Sequence, residues 1–181
     1  MADPLTQFAI VFAALLHDAE HLGVPNTQLL VEHPEMAKKY KNKAIAEQHS
    51  VDVAFDILME PKYRDLRMAI YKNEKDMRRF RQLVVNVILA TDICDKDLKD
   101  FRNRRWERAF SDPSLNVEEV DDLKATIGIE TLIQASDIHH TMQPWKVYKE
   151  WNQKLFTEMF KAFQEGRSTS DPRAFWFKGE M

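Results

Sequence analysis

Along nearly the whole chain, apolar residues recur at spacings of three and four, and alternating runs of the kind a half-buried strand needs are few. Only 4 Gly and 7 Pro interrupt 181 residues. Long uninterrupted stretches of helical period predict an all-α protein. Hydrophobic content of 44% is enough for one globular domain with a substantial core, or for a large piece of a bigger one.

Local signals place the helices. Asp3 followed by Pro4 reads as an N-cap and first helical residue, opening a helix through "LTQFAIVFAALL". Gly23 and Pro25 mark a loop. Short helices are expected over Thr27 to Glu32 and Glu35 to Lys41, then a longer one from about Lys43 to Met59, stopped by Pro61. Asn73 can cap the segment "EKDMRRFRQLVVNVILATD", polar where it starts and apolar where it ends. Further helices are expected from about Lys96 to Phe110, Val117 to Ile138 and Pro144 to Gly166.

Charge and cysteine usage narrow the partners. With 26 Lys and Arg against 29 Asp and Glu, there is no broad electrostatic reason to expect nucleic acid or an anionic membrane. The cluster "RNRRWER" at Arg102 to Arg108 reads as a solvated helix face. A lone Cys94 excludes an internal disulfide, suits a reducing, cytoplasmic setting and is expected as a small core residue. The run "FAIVFAALL" is too short to span a bilayer, so no direct membrane insertion is expected of this chain; a membrane anchor in a longer parent protein is left open. The aromatic tail with Phe175, Trp176 and Phe177 looks cut short, because exposing it on a free end is costly.

Two places put ionisable groups on apolar helices: His17 with Asp18, at the inner end of the first helix, and Asp137, which continues the stripe of Leu123, Ile127 and Ile133. Imidazole and carboxylate together suit Zn, Mn or Mg. Four residues after His17 comes His21, followed by a turn with Gly23, Pro25 and Asn26. The segment "AALLHDAEHLGVPN" resembles the HD-x-D-H-x-G-x-x-N signature of the class I 3',5'-cyclic nucleotide phosphodiesterases. Three later segments match in the same order: "AIAEQHSVDVAFDIL" with Glu47 and His49, "VILATDI" with Thr91 and Asp92, and "LIQASDIHHTMQPWKVYKEWNQKLFTEMF" with Asp137, Tyr148 and Trp151.

The resemblance implies a multi-helix catalytic-domain bundle of the HD type, with residues 1–181 forming a single partial domain incomplete at both ends. It implies a binuclear site with His17, Asp18 and Asp137 as ligands, Asp18 bridging a Zn2+ ion and a Mg2+ or Mn2+ ion. His21, Asn26, Glu47, His49, Thr91 and Asp92 would orient the ligands and bound waters, and His140 would approach the nucleotide. The implied reaction is hydrolysis of cAMP or cGMP to the 5'-monophosphate in signalling. The apolar helix is then expected to deliver His17 and Asp18 to a dry site, where poor solvation strengthens binding.

The sequence also departs from the pattern. Nothing before His17 matches the family's upstream His-Asn-x-x-His motif, which supplies a further metal-binding His and the general acid. The purine-gripping glutamine is not visible downstream. Glu20 stands for the second Asp, Ser50 for a His, and Gln134 for a His near Asp137; "DIHHT" replaces Asp-Leu-Ser-Asn-Pro. This chain alone is therefore expected to turn over poorly or not at all. A rival reading is a degenerate, noncatalytic helical module for protein contact or nucleotide sensing; a different His-Asp phosphohydrolase, such as a nucleotidase, fits the later segments less well. His33 is expected in a surface loop, His139 at a hydrated helix end, and Tyr148, Trp151 and Phe160 in core packing.

Overall fold

The structure, a computed structural model, describes residues 3–176, and every regular element among them is helical. Phe177 and the side chains of Phe175 and Trp176, on which the expectation about the tail rests, lie outside the described residues. No helix among the described residues is long and apolar enough to cross a membrane.

The helices are α1 (Pro4–Leu16), α2 (Asn26–Glu32), α3 (Pro34–Lys39), α4 (Ile45–Met59), α5 (Arg64–Ile70), α6 (Glu74–Leu89), α7 (Lys96–Ser111), α8 (Val117–Asp137), α9 (Trp145–Gln164) and α10 (Arg173–Trp176). Single 3₁₀ turns cover Pro61–Tyr63 and His139–Met142. The sequence reading left residues 61–70 unassigned. Pro61 opens a turn there, and the chain resumes as α5 because Pro blocks only the helix that precedes it.

The capping chemistry is as local as the sequence suggests. Asp3 accepts from the Thr6 backbone N–H at 3.0 Å and from its hydroxyl at 2.6 Å, and Asn73 accepts from the Asp76 N–H at 2.9 Å. The Thr6 hydroxyl and then Arg79, which donates to Asp3 at 2.6 Å, hold the Asp3 carboxyl well below the usual carboxylate range. Each cap satisfies orphan donors of the first turn.

The chain divides into two compact units. The first joins residues up to Glu20 with Glu47–Asp137. Its core is built on α6, where Phe80, Val84, Val87 and Ile88 follow one another at i, i+4, i+7 and i+8 and are all buried. The small residues Ala9 and Ala13 let α1 approach, and Val51, Phe55 and Leu58 from α4 and Ile133 from α8 close the cluster. Around Phe80 stand the rings of Phe12, Phe8, Tyr71 and Phe55, with centroids 5.4 to 6.2 Å away.

Two arginines of the basic cluster are structural. Arg102 donates to the Ala90 and Asp92 carbonyls at 3.1 and 3.2 Å, filling acceptors left at the end of α6, and Arg105 pairs with Glu130 of α8. The rest of the run, Asn103, Arg104, Trp106, Glu107 and Arg108, is exposed, as expected of a solvated face. Cys94 corrects another expectation: it is exposed, because the turn after α6 folds around the Asp92 carboxylate and leaves Cys94 on the outside.

The second unit comprises His21–Ala46 and the residues from Ile138 onward. Its core is smaller: Val24, Leu29, Ala37, Tyr40, Ile45, Ala46 and Ala162. Arg167 reaches Glu32 through two hydrogen bonds, each 2.7 Å. Of the residues expected to pack on α9, Tyr148, Met159 and Phe160 are half-buried, whereas Trp151 and Leu155 are exposed, as is Trp145 at the start of the helix. The helix is amphipathic as its spacing requires, but much of its apolar face is exposed among the described residues.

Candidate metal centre

α1 and α8 both end at the site. His17 is the C-cap of α1, Asp18 follows it, and Asp137 is the last residue of α8. Although 120 residues apart in sequence, His17 and Asp137 approach to 3.2 Å between Nε2 and Oδ1, and Asp18 Oδ2 lies 3.3 Å from the same nitrogen. One ligand atom from each of the three falls within 4.8 Å of the others, the spacing of a cluster that can hold a metal ion among the described residues.

The histidine is oriented for this role. Its Nδ1 lies 3.0 Å from the Ala14 carbonyl, which can only accept, so Nδ1 carries a proton and donates it there. Nε2 is thereby the atom turned to the carboxylates, in the arrangement typical of metal-bound histidines, whose other ring N–H is held by a backbone carbonyl. Hydrogen bonding to Asp137 first, and then to Asp18, raises the His17 pKa from 6.5 to about 10. The groups that stabilise this proton would equally stabilise a divalent cation in its place. One imidazolium against two carboxylates still leaves a net negative charge. An imidazole nitrogen and two carboxylate oxygens suit zinc, and oxygen ligands suit magnesium or manganese.

The expectation of a dry site is not met. The side chain of His17 is 18% exposed, but Asp137 is 39% and Asp18 65% exposed. Both ligand-bearing helices finish at the cluster, and their apolar stripes finish one turn earlier, at Ala13 and Ile133. The carboxylates therefore stand beyond the apolar layer, in contact with water.

Other residues singled out in sequence have definite partners. His49, in the first turns of α4, donates from Nε2 to Glu20 at 2.9 Å, and neighbouring Glu47 is half-buried. The Thr91 hydroxyl donates to the Ile88 carbonyl at 2.7 Å. Asp92 is buried and accepts from the Cys94 and Asp95 backbone N–H groups, both at 3.0 Å, shaping the turn between α6 and α7.

His21, Asn26 and His140 belong to the second unit. His21 is exposed and accepts from the Gly23 N–H at 3.2 Å. Asn26 accepts from the Ala46 N–H at 2.9 Å, capping the start of α4 from 20 residues away. His140 stacks on Tyr148, centroids 6.3 Å apart with planes 6° from parallel. His33 is the single non-helical residue between α2 and α3, as expected of a loop residue, but is half-buried rather than on the surface.

Ser50 and Gln134, which stand out in the sequence only as departures from the family pattern, also have definite partners. Ser50 is buried and donates to the Ala19 carbonyl at 2.9 Å, and Gln134 donates to the Ala90 carbonyl at 2.7 Å. Their positions, beside His49 and one turn before Asp137, are the signal that could have marked them.

A His-Asp pair at one helix end, met by a distant Asp from another, makes this an all-helical protein with a cluster that could hold a divalent cation. Residues 1–174 match the model of the 3'5'-cyclic nucleotide phosphodiesterase family, and the chain belongs to that family. Curated relatives include the mouse (Mus musculus) dual specificity calcium/calmodulin-dependent 3',5'-cyclic nucleotide phosphodiesterase 1C, 27% identical over 155 residues that cover 85% of this chain and 20% of that protein. Another is the probable 3',5'-cyclic-AMP phosphodiesterase pde-4 of Caenorhabditis elegans, 27% identical over 158 residues, covering 87% of this chain and 23% of that protein. Among solved structures, the phosphodiesterase domain of the Salpingoeca rosetta rhodopsin phosphodiesterase shares the fold with a TM-score of 0.71 at 24% identity, over 88% of this chain and 47% of that one. The chain thus spans about a fifth of those curated relatives and about half of the solved domain.

Proposed function

We propose that residues 1–181 form one partial catalytic domain that takes part in metal-dependent hydrolysis of 3',5'-cyclic nucleotides, cAMP or cGMP, to nucleoside 5'-monophosphates in the cytoplasm. The observation that carries this reading is the meeting of His17, Asp18 and Asp137 in a family member. These three would hold the divalent cations, the imidazole of His17 suiting zinc and the carboxylates of Asp18 and Asp137 suiting zinc, magnesium or manganese. When bound, such cations lower the pKa of a coordinated water and offset charge on the phosphoryl oxygens.

The remaining work falls to the chain's own residues. The Ala14 carbonyl holds the Nδ1 proton, so Nε2 would be the coordinating nitrogen once a metal displaces its own proton. Asp137 brings a carboxylate to the site from α8, and Asp18 adds a second, exposed carboxylate beside His17. No residue among those described is assigned as the acid for the O3' leaving group. That loss alone lowers a rate about a hundred- to ten-thousand-fold.

The test uses two substrates that differ in their need for an acid. With zinc and magnesium or manganese added, the 181-residue chain is expected to cleave a nitrophenyl phosphodiester, whose leaving group needs no proton, and to cleave cAMP and cGMP far more slowly. Chelation should abolish both activities. Bound metal without cleavage of the nitrophenyl ester would overturn hydrolysis and favour the noncatalytic reading, to which the open, water-exposed carboxylates also lend themselves.

A further inference from the structure

The backbone that carries the ligands is tied down by three side chains lying outside the ligand set. After α1 the chain turns sharply, with Glu20 at φ 58°, in the left-handed region that a residue with a Cβ seldom occupies. Such a conformation persists only when its surroundings impose it. Two bonds to α4 do so here: the Glu20 carboxylate accepts from His49 Nε2 at 2.9 Å, and the Ala19 carbonyl accepts from the buried Ser50 hydroxyl at 2.9 Å. Asp18 is the residue immediately before this clamped pair.

The opposite wall has its own tie. Gln134, one helical turn before Asp137, donates to the Ala90 carbonyl at 2.7 Å, and the adjacent Ile133 is buried in the core. Arg102 donates to the same carbonyl at 3.1 Å, so both lone pairs of the Ala90 oxygen are used. The end of α8 is thereby fixed against the end of α6. Because a metal site demands ligand positions within a fraction of an ångström, bonds that fix the two ligand-bearing ends also fix metal affinity.

We infer that Glu20, Ser50 and Gln134 are positioning residues of the metal centre, Glu20 and Ser50 holding the Asp18 turn on α4 and Gln134 holding the Asp137 end of α8 on α6. These are three of the positions where the sequence departs from the family pattern it resembles. The inference rests on the metal-site reading.

The experiment measures zinc affinity by competition with a chromophoric chelator, and the visible spectrum of the cobalt-substituted 181-residue chain, with thermal midpoints of the metal-free variants alongside. Glu20→Ala, Ser50→Ala and Gln134→Ala should each weaken zinc about ten- to a hundredfold and alter the cobalt bands. Glu20→Gln, whose amide oxygen can still accept from His49, should restore most of the affinity. Unchanged affinity and spectra in the alanine variants, or an affinity loss matched by an equal collapse of the metal-free fold, would overturn the inference. So would a Glu20→Gln variant as weak as Glu20→Ala, since that assigns Glu20 a charge effect. His17→Ala and Asp137→Ala separate the two levels: if these bind zinc normally, the metal-site reading itself has failed.

Discussion

α6 and α9 carry the same kind of sequence, apolar residues at helical spacing with polar residues between, yet they end in opposite circumstances. On α6, Phe80, Val84, Val87 and Ile88 are sealed by α1, α4 and α8. On α9, Ala162 is buried with Phe160 half-buried, while Trp145, Trp151 and Leu155 face water. The difference lies in the neighbours. Ala9 and Ala13 on α1 are small enough to let two helices close on each other, whereas α9 presents bulky aromatics and the second unit supplies only a small core.

The largest expected effect tests the sealed side. Phe80→Ala removes the ring at the centre of the aromatic cluster and should cost about 3–5 kcal/mol, measured by denaturant unfolding followed by circular dichroism. A loss under about 1 kcal/mol would mean that the first unit is packed no better than α9.

Next is the pH dependence of the metal centre at the edge of that unit. The carboxylates of Asp137 and Asp18 raise the His17 pKa to about 10, so at neutral pH a metal must displace a favoured proton. Apparent zinc affinity should rise about tenfold per pH unit from 7 towards 10, roughly a thousandfold in all, and then level off. The metal-free chain runs the other way. A raised pKa means that the imidazolium's contribution to stability is full below 6.5 and is lost as pH rises through about 10. A flat zinc profile across this range would detach His17 from the metal.

A smaller effect probes what holds the second unit in place of a large core. Arg167 first, and then Gln28, pull the Glu32 carboxyl from 4.5 down to about 2. A depressed pKa means that its contribution is present above about 4.5 and disappears as pH falls through 2. Glu32→Gln should therefore lower the thermal midpoint by no more than a few degrees at pH 7, and the gap from wild type should close between pH 4.5 and 2. The smallest effect is expected on the open face: Trp151→Ala, exposed with Lys154 over its ring, should change stability by less than about 1 kcal/mol. A loss as large as that of Phe80→Ala would show α9 to be sealed in solution and the contrast between the helices to be false.

Much of the fold was legible because its signals are local. The caps at Asp3 and Asn73 act within three residues, and Pro4 and Pro61 act on the turn they occupy. The candidate cluster was legible in part for the same reason: His17 and Asp18 are adjacent, and their neighbours match a family pattern. Its solvent exposure was not legible, since periodicity names the face of α8 on which Asp137 lies but not that the apolar layer stops at Ile133.

By itself, then, the sequence determined an all-helical chain, the starts and stops of most of its helices, the family, and the residue types able to bind a divalent cation. Only the tertiary structure decided that Asp137 closes on His17, that Gln134 ties the end of α8 and Ser50 the turn after α1, that Cys94 is outside, and that Trp151 is exposed. Helix formation is governed by interactions three and four residues apart, which a single strand of text records. Which of two apolar faces finds a partner depends on groups tens of residues away and on whether they are small enough to approach.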